Sequence, residues 1–258
     1  MRPVLLLIAA VAVVAACGDP TPRRRPDSAR AVAAAPVPPA VPRPPVSIDT
    51  VGSALLELWP LGVDRSRQAD ETRRLVEHLQ ADLSLVPGFA WAAVLASGDG
   101  SSLLLSVAWR DSAAAGRGDT MLAGWLRLPS DTALRRRQDG TLTPRVLLRR
   151  TTGATPQFRE GAMLLFTRYV MKPGHSFGAL ATLADSNIAM RVLQDTAAQG
   201  GALLVAADSG ALYMLLQARN ATALDPGFGL PTTSLPFWAP FATREEQLMA
   251  VVAIITPR

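Results

Sequence analysis

The first clear pattern after residue 50 is an apolar strand followed by an amphipathic helix. Residues 53–59 are almost entirely apolar, and the helix is predicted to begin near Gln68. At about 100° per residue, several apolar side chains of this helix fall on one face. They are Leu75, Val76, Leu79, Leu83 and Val86. Pro87-Gly88 then predicts the end of the helix.

A hairpin is predicted directly after this helix. Residues 89–96 and 101–109 are strand-like runs, and Gly98-Asp99-Gly100 between them is a strong turn signal. An alanine-rich stretch after Ser112 is typical of a helix, and residues 146–148 can supply a fourth strand. The predicted order is β-α-β-β-α-β.

The same order recurs in the rest of the chain. Lys172-Pro173-Gly174 leads from a strand into a second amphipathic helix, which Gly200-Gly201 is expected to end. Asp208-Ser209-Gly210 takes the place of the first hairpin turn. The strand-like runs of this copy are 162–171, 202–207, 211–218 and 248–255.

The inner hairpin strands indicate how the two copies pack. Leu103, Leu105 and Val107 alternate with Leu104 and Ala108, so this strand is apolar on both faces. Helices can cover one face of such a sheet, and a second sheet can cover the other. We therefore predict an α+β fold of two tandem βαββαβ units, residues 48–155 and 156–258, packed sheet-to-sheet as a monomeric pseudo-dimer.

The amino terminus has the features of an export signal. Arg2 precedes an apolar run that is too short to span a bilayer comfortably, and residues 1–16 are predicted to be a signal peptide. Val14-Ala15-Ala16-Cys17-Gly18 resembles the lipobox of bacterial lipoproteins, and Cys17 is the only cysteine. This resemblance implies lipidation at Cys17 and an exported protein anchored to a bacterial membrane. The alternative is a plain secretory signal with Cys17 left unmodified.

Residues 17–47 are rich in proline, alanine and arginine and lack a periodic apolar pattern. This composition predicts a disordered, semi-rigid stalk. Arg23-Arg24-Arg25 can contact anionic lipid headgroups or form a solvated basic patch.

Composition excludes several other classes of protein. One cysteine excludes a disulfide scaffold and a cysteine-based zinc site. The net charge is +5, an excess too small to indicate a nucleic-acid partner. The chain also lacks metal-ligand spacing, a phosphate-binding glycine loop and a nucleophile elbow.

Three motifs of the first unit carry a family resemblance. Pro87-Gly88-Phe89, the turn at Asp99-Gly100 and the strand exit 107–114 resemble the antibiotic biosynthesis monooxygenase family of the dimeric α/β-barrel superfamily. Residues 170–174 of the second unit are similar to the same family, although Gln217-Ala218 stands where the first unit has Ala108-Trp109. The resemblance implies ferredoxin-like units that form an intramolecular dimeric α/β barrel.

The resemblance also implies a function. The family includes oxygenases that use no cofactor and act on aromatic substrates, so a monooxygenase, or a binder of a small hydrophobic or aromatic compound, is one hypothesis. Haem degradation is disfavoured, because the haem-degrading members use an Asn on the first strand and neither predicted first strand contains one. The other hypothesis is a non-catalytic binding or structural module whose pocket has filled in.

Six residues are candidates for the site. His175, at the start of the second unit's helix, can act as a general base, or can be an exposed side chain without a role. Trp91, Trp109 and Trp125 are expected to border a cavity between sheet and helices, or to fill the core. Arg168 and Tyr169 lie on opposite faces of a strand, where Arg168 can hold an anion or extend to an edge. His78, within the first helix, is expected to be a solvated residue at the flank of the apolar face.

Overall fold

Eight antiparallel strands close into a barrel, and three helices lie against its outer surface. The computed structural model describes residues 43–48, 55–126, 135–136, 145–175, 177–194, 198–207, 210–219 and 238–258. The barrel strands are β2 (Leu55–Gly62), β3 (Phe89–Ser97), β4 (Ser102–Trp109), β6 (Arg145–Gly153), β8 (Met163–Met171), β9 (Ala198–Ala206), β10 (Ala211–Ala218) and β11 (Ala242–Ile255). The helices are α1 (Gln68–Ala81), α2 (Ser112–Leu126) and α3 (Phe177–Gln194).

Short strands complete the hydrogen-bonded structure. They are β1 (Val46–Ser47), β5 (Arg135–Arg136) and β7 (Gln157–Phe158). β5 pairs with the end of β2, and β1 pairs with β7 in a separate two-stranded ribbon. Residues 43–48 include Val46 and Ser47, which were expected to end the disordered stalk and instead form β1.

The strand order around the barrel is β4-β3-β11-β8-β10-β9-β6-β2, and pairing of β2 with β4 closes it. We call residues 55–153 the first segment and residues 163–255 the second segment. Their strands join at two places, β3 with β11 and β6 with β9, and both joints are antiparallel ladders. The expected burial of one sheet by another therefore takes the form of a continuous barrel, which leaves no open edge in these strands.

The apolar residues form layers on both sides of the barrel wall. One cluster fills the barrel interior and includes Leu58, Leu104 and Phe166. A second cluster lies between α1, α2 and the outer wall of the first segment, and a third lies beneath α3. Every residue of β4 and β10 is buried, which confirms that these strands are covered on both faces.

The first segment follows the sequence-based prediction closely. α1 begins at Gln68 and buries Leu75 and Leu79 against the sheet. It ends at Ala81 and is followed by a 3₁₀ turn, Leu83–Leu85, before the Pro87-Gly88 stop. Gly88 has a φ of 87°, and an added Cβ would lie 2.5 Å from the Cβ of Ala114. Position 88 therefore requires glycine for two reasons, the positive φ of the turn and the close approach of α2.

The second segment departs from the prediction at Gly200-Gly201. These glycines lie inside β9 and do not end the helix, which stops at Gln194. A Cβ at Gly200 would lie 1.8 Å from the carbonyl oxygen of Ala154, so the absence of a side chain allows backbone contact here. β11 begins at Ala242, well before the predicted start of the closing strand. The second helix expected in this segment falls on residues outside the described ranges.

Candidate functional site

A buried carboxyl group lies at the centre of the candidate site. Glu57 is in the middle of β2, where side chains point alternately to the two faces of the barrel wall. Leu56 and Leu58 belong to the interior cluster, while Trp59 belongs to the outer cluster beneath the helices. Glu57 therefore points outward with Trp59, towards the helices, and its exposed fraction is 0%.

Two tryptophan indoles flank this carboxyl group. The Nε1–H of Trp59 donates a hydrogen bond to Glu57 Oε2 over 3.3 Å. Trp109, at the end of β4, is completely buried and packs edge-on against Phe89. Its indole N–H lies close enough to Glu57 to favour the ionised carboxylate and lower its pKa.

Two charged side chains complete the cluster. Arg145 of β6 is the cross-strand partner of Glu57, and its Nε lies 3.9 Å from Glu57 Oε1. Its Nη2 lies 3.1 Å from Oδ2 of Asp119 on α2. One guanidinium group thus contacts two carboxyl groups.

The pKa of Glu57 is raised from 4.5 to about 8. Burial is the largest cause, because it penalises the charged form, and the nearby Asp119 carboxylate raises it further. The indole N–H groups of Trp109 and Trp59 partly oppose this shift. Below about pH 8 Glu57 therefore holds a proton, and above this pH it is a stronger base than an ordinary carboxylate.

Three buried polar atoms of the cluster make no hydrogen bond of ordinary geometry with the described residues, although Trp109 and Asp119 both lie within hydrogen-bond reach of Glu57. They are Glu57 Oε1, Asp119 Oδ1 and Trp109 Nε1. Buried polar atoms are normally paired, and here a donor and two acceptors belong to one site. Because Glu57 holds a proton below about pH 8, its carboxyl group can donate to the Asp119 carboxylate as well as accept.

Gly118 explains how α2 reaches the cluster. A Cβ at this position would lie 2.0 Å from Cη2 of Trp109, so the helix approaches the indole ring at a position without a side chain. Asp119 is the next residue in α2. The close contact at Gly118 therefore places the Asp119 carboxyl group beside Arg145.

The structure separates the three predicted tryptophans. Trp109 and Trp125 lie on the helix side of the wall, where Trp125 packs against the outer cluster and stacks on His78 with ring centroids 5.5 Å apart. Trp91 lies on the other side, in the barrel interior, with its ring centroid 5.4 Å from that of Phe158. Trp91 therefore does not share the space beneath the helices that was expected for all three.

Arg168 and Tyr169 lie on opposite faces, as their positions in the strand require. Arg168 is buried and pairs with Oε1 of Glu245 at 3.2 Å. It borders a void of about 10 Å³, room for about one water molecule, together with Phe166 and Gln247. Tyr169 is buried beneath α3. These two residues do not meet at one site.

Neither histidine belongs to the Glu57 cluster. His175 precedes α3, is exposed, and contacts Phe241 edge-on with ring centroids 5.9 Å apart. The side chain of His78 is 49% exposed, which fits the expected solvated position, and its Nδ1 lies 3.9 Å from Asp82.

Glu57, Asp119 and Arg145 were not among the predicted site residues. One signal was present in the sequence, because Glu57 interrupts the apolar run from Leu55 to Trp59. Asp119 carries no such signal, since an acidic residue on an exposed helix face is ordinary. Its role depends on how α2 packs.

Two kinds of feature are absent from the described ranges. No cluster of three or more metal-ligating side chains occurs there. Within the same ranges, no helix has the length and apolar character needed to cross a bilayer. Cys17 lies outside the described residues.

Comparisons with known proteins support the fold. No protein-family model matches this chain, and no curated protein matches it in sequence. The structure resembles an anthrone oxidase-like protein, with a TM-score of 0.59 and 13% identity, over 83% of this chain and 96% of that one. It also resembles a provisionally assigned monooxygenase from Fusobacterium nucleatum, with a TM-score of 0.51 and 7% identity, over 78% of this chain and 94% of that one. The chain thus has the α+β barrel fold that these two proteins share.

Proposed function

We propose that this protein is a monooxygenase that uses no cofactor, acts on a small aromatic compound and works at the Glu57 site. The observation that carries the proposal is the fully buried Glu57 carboxyl group between two indoles, with a pKa of about 8. The fold shared with an anthrone oxidase-like protein supports the same reaction class. The resemblance to antibiotic biosynthesis monooxygenases is consistent with it.

The proposed reaction converts an activated CH₂ group to a carbonyl group. The Glu57 carboxylate takes one proton from the CH₂ carbon, and the resulting anion gives one electron to O₂. The radical and superoxide combine in a C–O bond, and Glu57 returns its proton to the peroxide. Loss of the second C–H proton to Glu57 then breaks the O–O bond. The departing hydroxide takes this proton, so that substrate and O₂ become the carbonyl product and one water.

The chain's own groups have defined roles in this scheme. Glu57 takes and returns the protons. The Trp109 N–H, which lies beside the Glu57 carboxyl group, can donate to the substrate oxygen on which negative charge develops. The apolar cluster around the indoles excludes water from the anion.

Oxygen uptake with anthrone as the probe tests the proposal. We expect Glu57→Gln to lower the rate by about 100-fold or more, which is typical of removing a general base. The matched variant His175→Ala should keep the wild-type rate, because His175 is exposed and outside the cluster. Equal rates for Glu57→Gln and wild type would remove Glu57 from the mechanism. A loss confined to His175→Ala would assign the base to His175.

The alternative function is a non-catalytic binding or structural module. The barrel interior favours it, because a cluster of buried side chains fills it and the void beside Arg168 measures only about 10 Å³. Binding of aromatic probes without oxygen uptake would indicate a binding module. Absence of both would indicate a structural one.

We further propose that the two segments are tandem ferredoxin-like units, so that the chain is a monomeric pseudo-dimer. The strand orders support this, because β6-β2-β4-β3 and β11-β8-β10-β9 are the same order counted from the start of each segment. By register, Leu165 of β8 takes the place of Glu57 in β2, so the second unit lacks the carboxyl group. The full chain with Cys17→Ser should sediment as a monomer, and a stable dimer would contradict this proposal.

Membrane anchoring through Cys17 is a separate proposal. It is supported by the lipobox-like residues 14–18 and by the absence of any other cysteine in the sequence. Labelled palmitate should be incorporated into the wild-type protein and not into Cys17→Ser, which should also leave the membrane fraction. Equal labelling of the two proteins would contradict lipidation at this residue.

A further inference from the structure

The side chains that contact Glu57 connect its buried carboxyl group with the protein surface. Glu57 has no exposed surface, whereas the side chains of Asp119 and Arg145 are 31% and 34% exposed. Both of these residues therefore reach from the buried carboxyl group towards solvent. Of the two, Asp119 can accept and release a proton, because a guanidinium group remains protonated in proteins.

The geometry holds the two carboxyl groups together. Arg145 Nη2 is 3.1 Å from Asp119 Oδ2, and Arg145 Nε is 3.9 Å from Glu57 Oε1. The remaining oxygen of Asp119, Oδ1, is buried, and the Asp119 carboxyl group lies within hydrogen-bond reach of Glu57. The two carboxyl groups that share one guanidinium thus each keep an oxygen able to take part in proton transfer.

The surroundings of Glu57 offer no better carrier within the described ranges. Trp109 of β4 and Trp59 of β2 supply indole N–H groups, which donate hydrogen bonds but do not exchange charge near neutral pH. Arg145 is the charged group from β6, and Asp119 is the charged group from α2. Asp119 is therefore the titratable neighbour of Glu57.

We infer that Asp119 carries the proton between buried Glu57 and solvent, while Arg145 holds the two carboxyl groups at transfer distance. The proton leaves the Glu57 carboxyl oxygen, binds Asp119, and passes from Asp119 to water or buffer. Glu57 becomes the carboxylate that the proposed reaction needs, and Asp119 returns to its ionised form. Asp119 is thus a positioning residue that acts through Glu57. The inference rests on the proposed function only for the use made of Glu57's proton.

The relay can be tested without substrate. A light-triggered proton release from a caged acid, followed by infrared spectroscopy, measures how fast Glu57 binds a proton, and Glu57→Gln identifies its carboxyl band. Asp119→Asn should slow this step at least tenfold, and a small buffer such as imidazole should restore part of the rate. The matched variant Asp111→Asn changes a carboxylate in the turn before α2 and should leave the rate unchanged.

A second readout separates the relay from structural damage. Removal of the Asp119 charge should lower the pKa of Glu57, because that charge helps to raise it. Looser packing around Glu57 would also lower its pKa, but it would admit water and make proton binding to Glu57 faster. A wild-type or faster proton step in Asp119→Asn would overturn the relay. If wild type takes up no oxygen but Asp119→Asn still slows the proton step, only the proposed oxygenase function is overturned.

Discussion

Arg145 lies directly opposite Glu57 in the β2–β6 ladder, and its Nε is 3.9 Å from Glu57 Oε1. This contact does not by itself hold Glu57 ionised, since burial and the Asp119 carboxylate raise the pKa of Glu57 to about 8. Desolvation thus outweighs one guanidinium group that is shared between two carboxyl groups. The site is poised to hold a proton at neutral pH.

Because Glu57 holds this proton in the folded protein, the free energy of unfolding should depend on pH in an unusual direction. The folded protein keeps the Glu57 proton up to about pH 8, whereas the unfolded chain loses it near the ordinary pKa of 4.5. Between these values the folded state binds more protons, so the free energy of unfolding should fall as pH rises, by at most about 1.4 kcal/mol per pH unit. Glu57→Gln should lack this contribution.

Urea unfolding of both proteins across this pH window measures the difference. The stability of wild type relative to Glu57→Gln should decline steadily with rising pH. A difference that stays constant, or that changes in favour of wild type as the pH rises, would show that the folded protein does not raise the pKa of Glu57. Since both side chains fill similar volumes, the comparison isolates the ionisation of one group.

Trp59→Phe should raise the pKa of Glu57 further. The Trp59 indole N–H donates to Glu57 Oε2 over 3.3 Å and so favours the ionised form. Phenylalanine removes this donor and keeps an aromatic ring. Carbon-13 NMR of labelled glutamate carboxyl groups should record a higher titration midpoint for Glu57.

Trp125→Phe is the control for this measurement. Trp125 stacks on His78 at the edge of the outer cluster, so its replacement should leave the midpoint of Glu57 unchanged. An unchanged or lower midpoint in Trp59→Phe would mean that the Trp59 hydrogen bond does not stabilise the carboxylate.

The strands and helices of the first segment could be predicted from sequence because local signals agree there. Pro87-Gly88 and the turn at Asp99-Gly100 coincide with changes in apolar periodicity. Gly200-Gly201 does not mark a turn. Glycine is required in this part of β9 because the backbone of Ala154 approaches it closely. A contact between residues so distant in sequence leaves no local pattern.

The site was harder to predict than the fold. Alternation along a strand divides its residues between two faces, but it does not reveal which face a helix will cover. For this reason the sequence predicts one location for Trp91 and Trp109, whereas in the structure Trp91 points into the barrel. The Glu57 cluster joins β2, β6 and α2, and only the folded chain brings these elements together.

The β3–β4 turn should be weakened by Asp99→Ala. Asp99 Oδ1 accepts hydrogen bonds from Ser97 Oγ at 2.7 Å and from the Ser101 backbone N–H at 3.0 Å. These contacts lower the pKa of Asp99 from 3.8 to about 2. We expect the variant to lose about 1 kcal/mol at neutral pH, which is typical of such hydrogen bonds.

The sign of the pH effect at Asp99 is opposite to that at Glu57. Because the pKa of Asp99 is lowered on folding, its carboxylate stabilises the folded protein above about pH 3.8. This stabilisation is lost as the pH falls towards 2. Urea unfolding near neutral pH and in acid should therefore show a smaller gap between Asp99→Ala and wild type in acid. A gap independent of pH would mean that the carboxylate charge does not contribute to the turn.

Gly118→Ala should disrupt the contact between α2 and β4. The new Cβ would lie 2.0 Å from Trp109 Cη2 and 2.1 Å from Cζ2, so the helix or the buried ring must move. Such overpacking costs about 1–3 kcal/mol, and the shift should also carry Asp119 away from Arg145. Gly116→Ala in the same helix meets nothing within 4 Å and should stabilise the protein by about 0.5–1 kcal/mol through helix propensity. Thermal unfolding of the two variants should therefore move in opposite directions, and a Gly118→Ala protein as stable as Gly116→Ala would show that α2 does not press on Trp109.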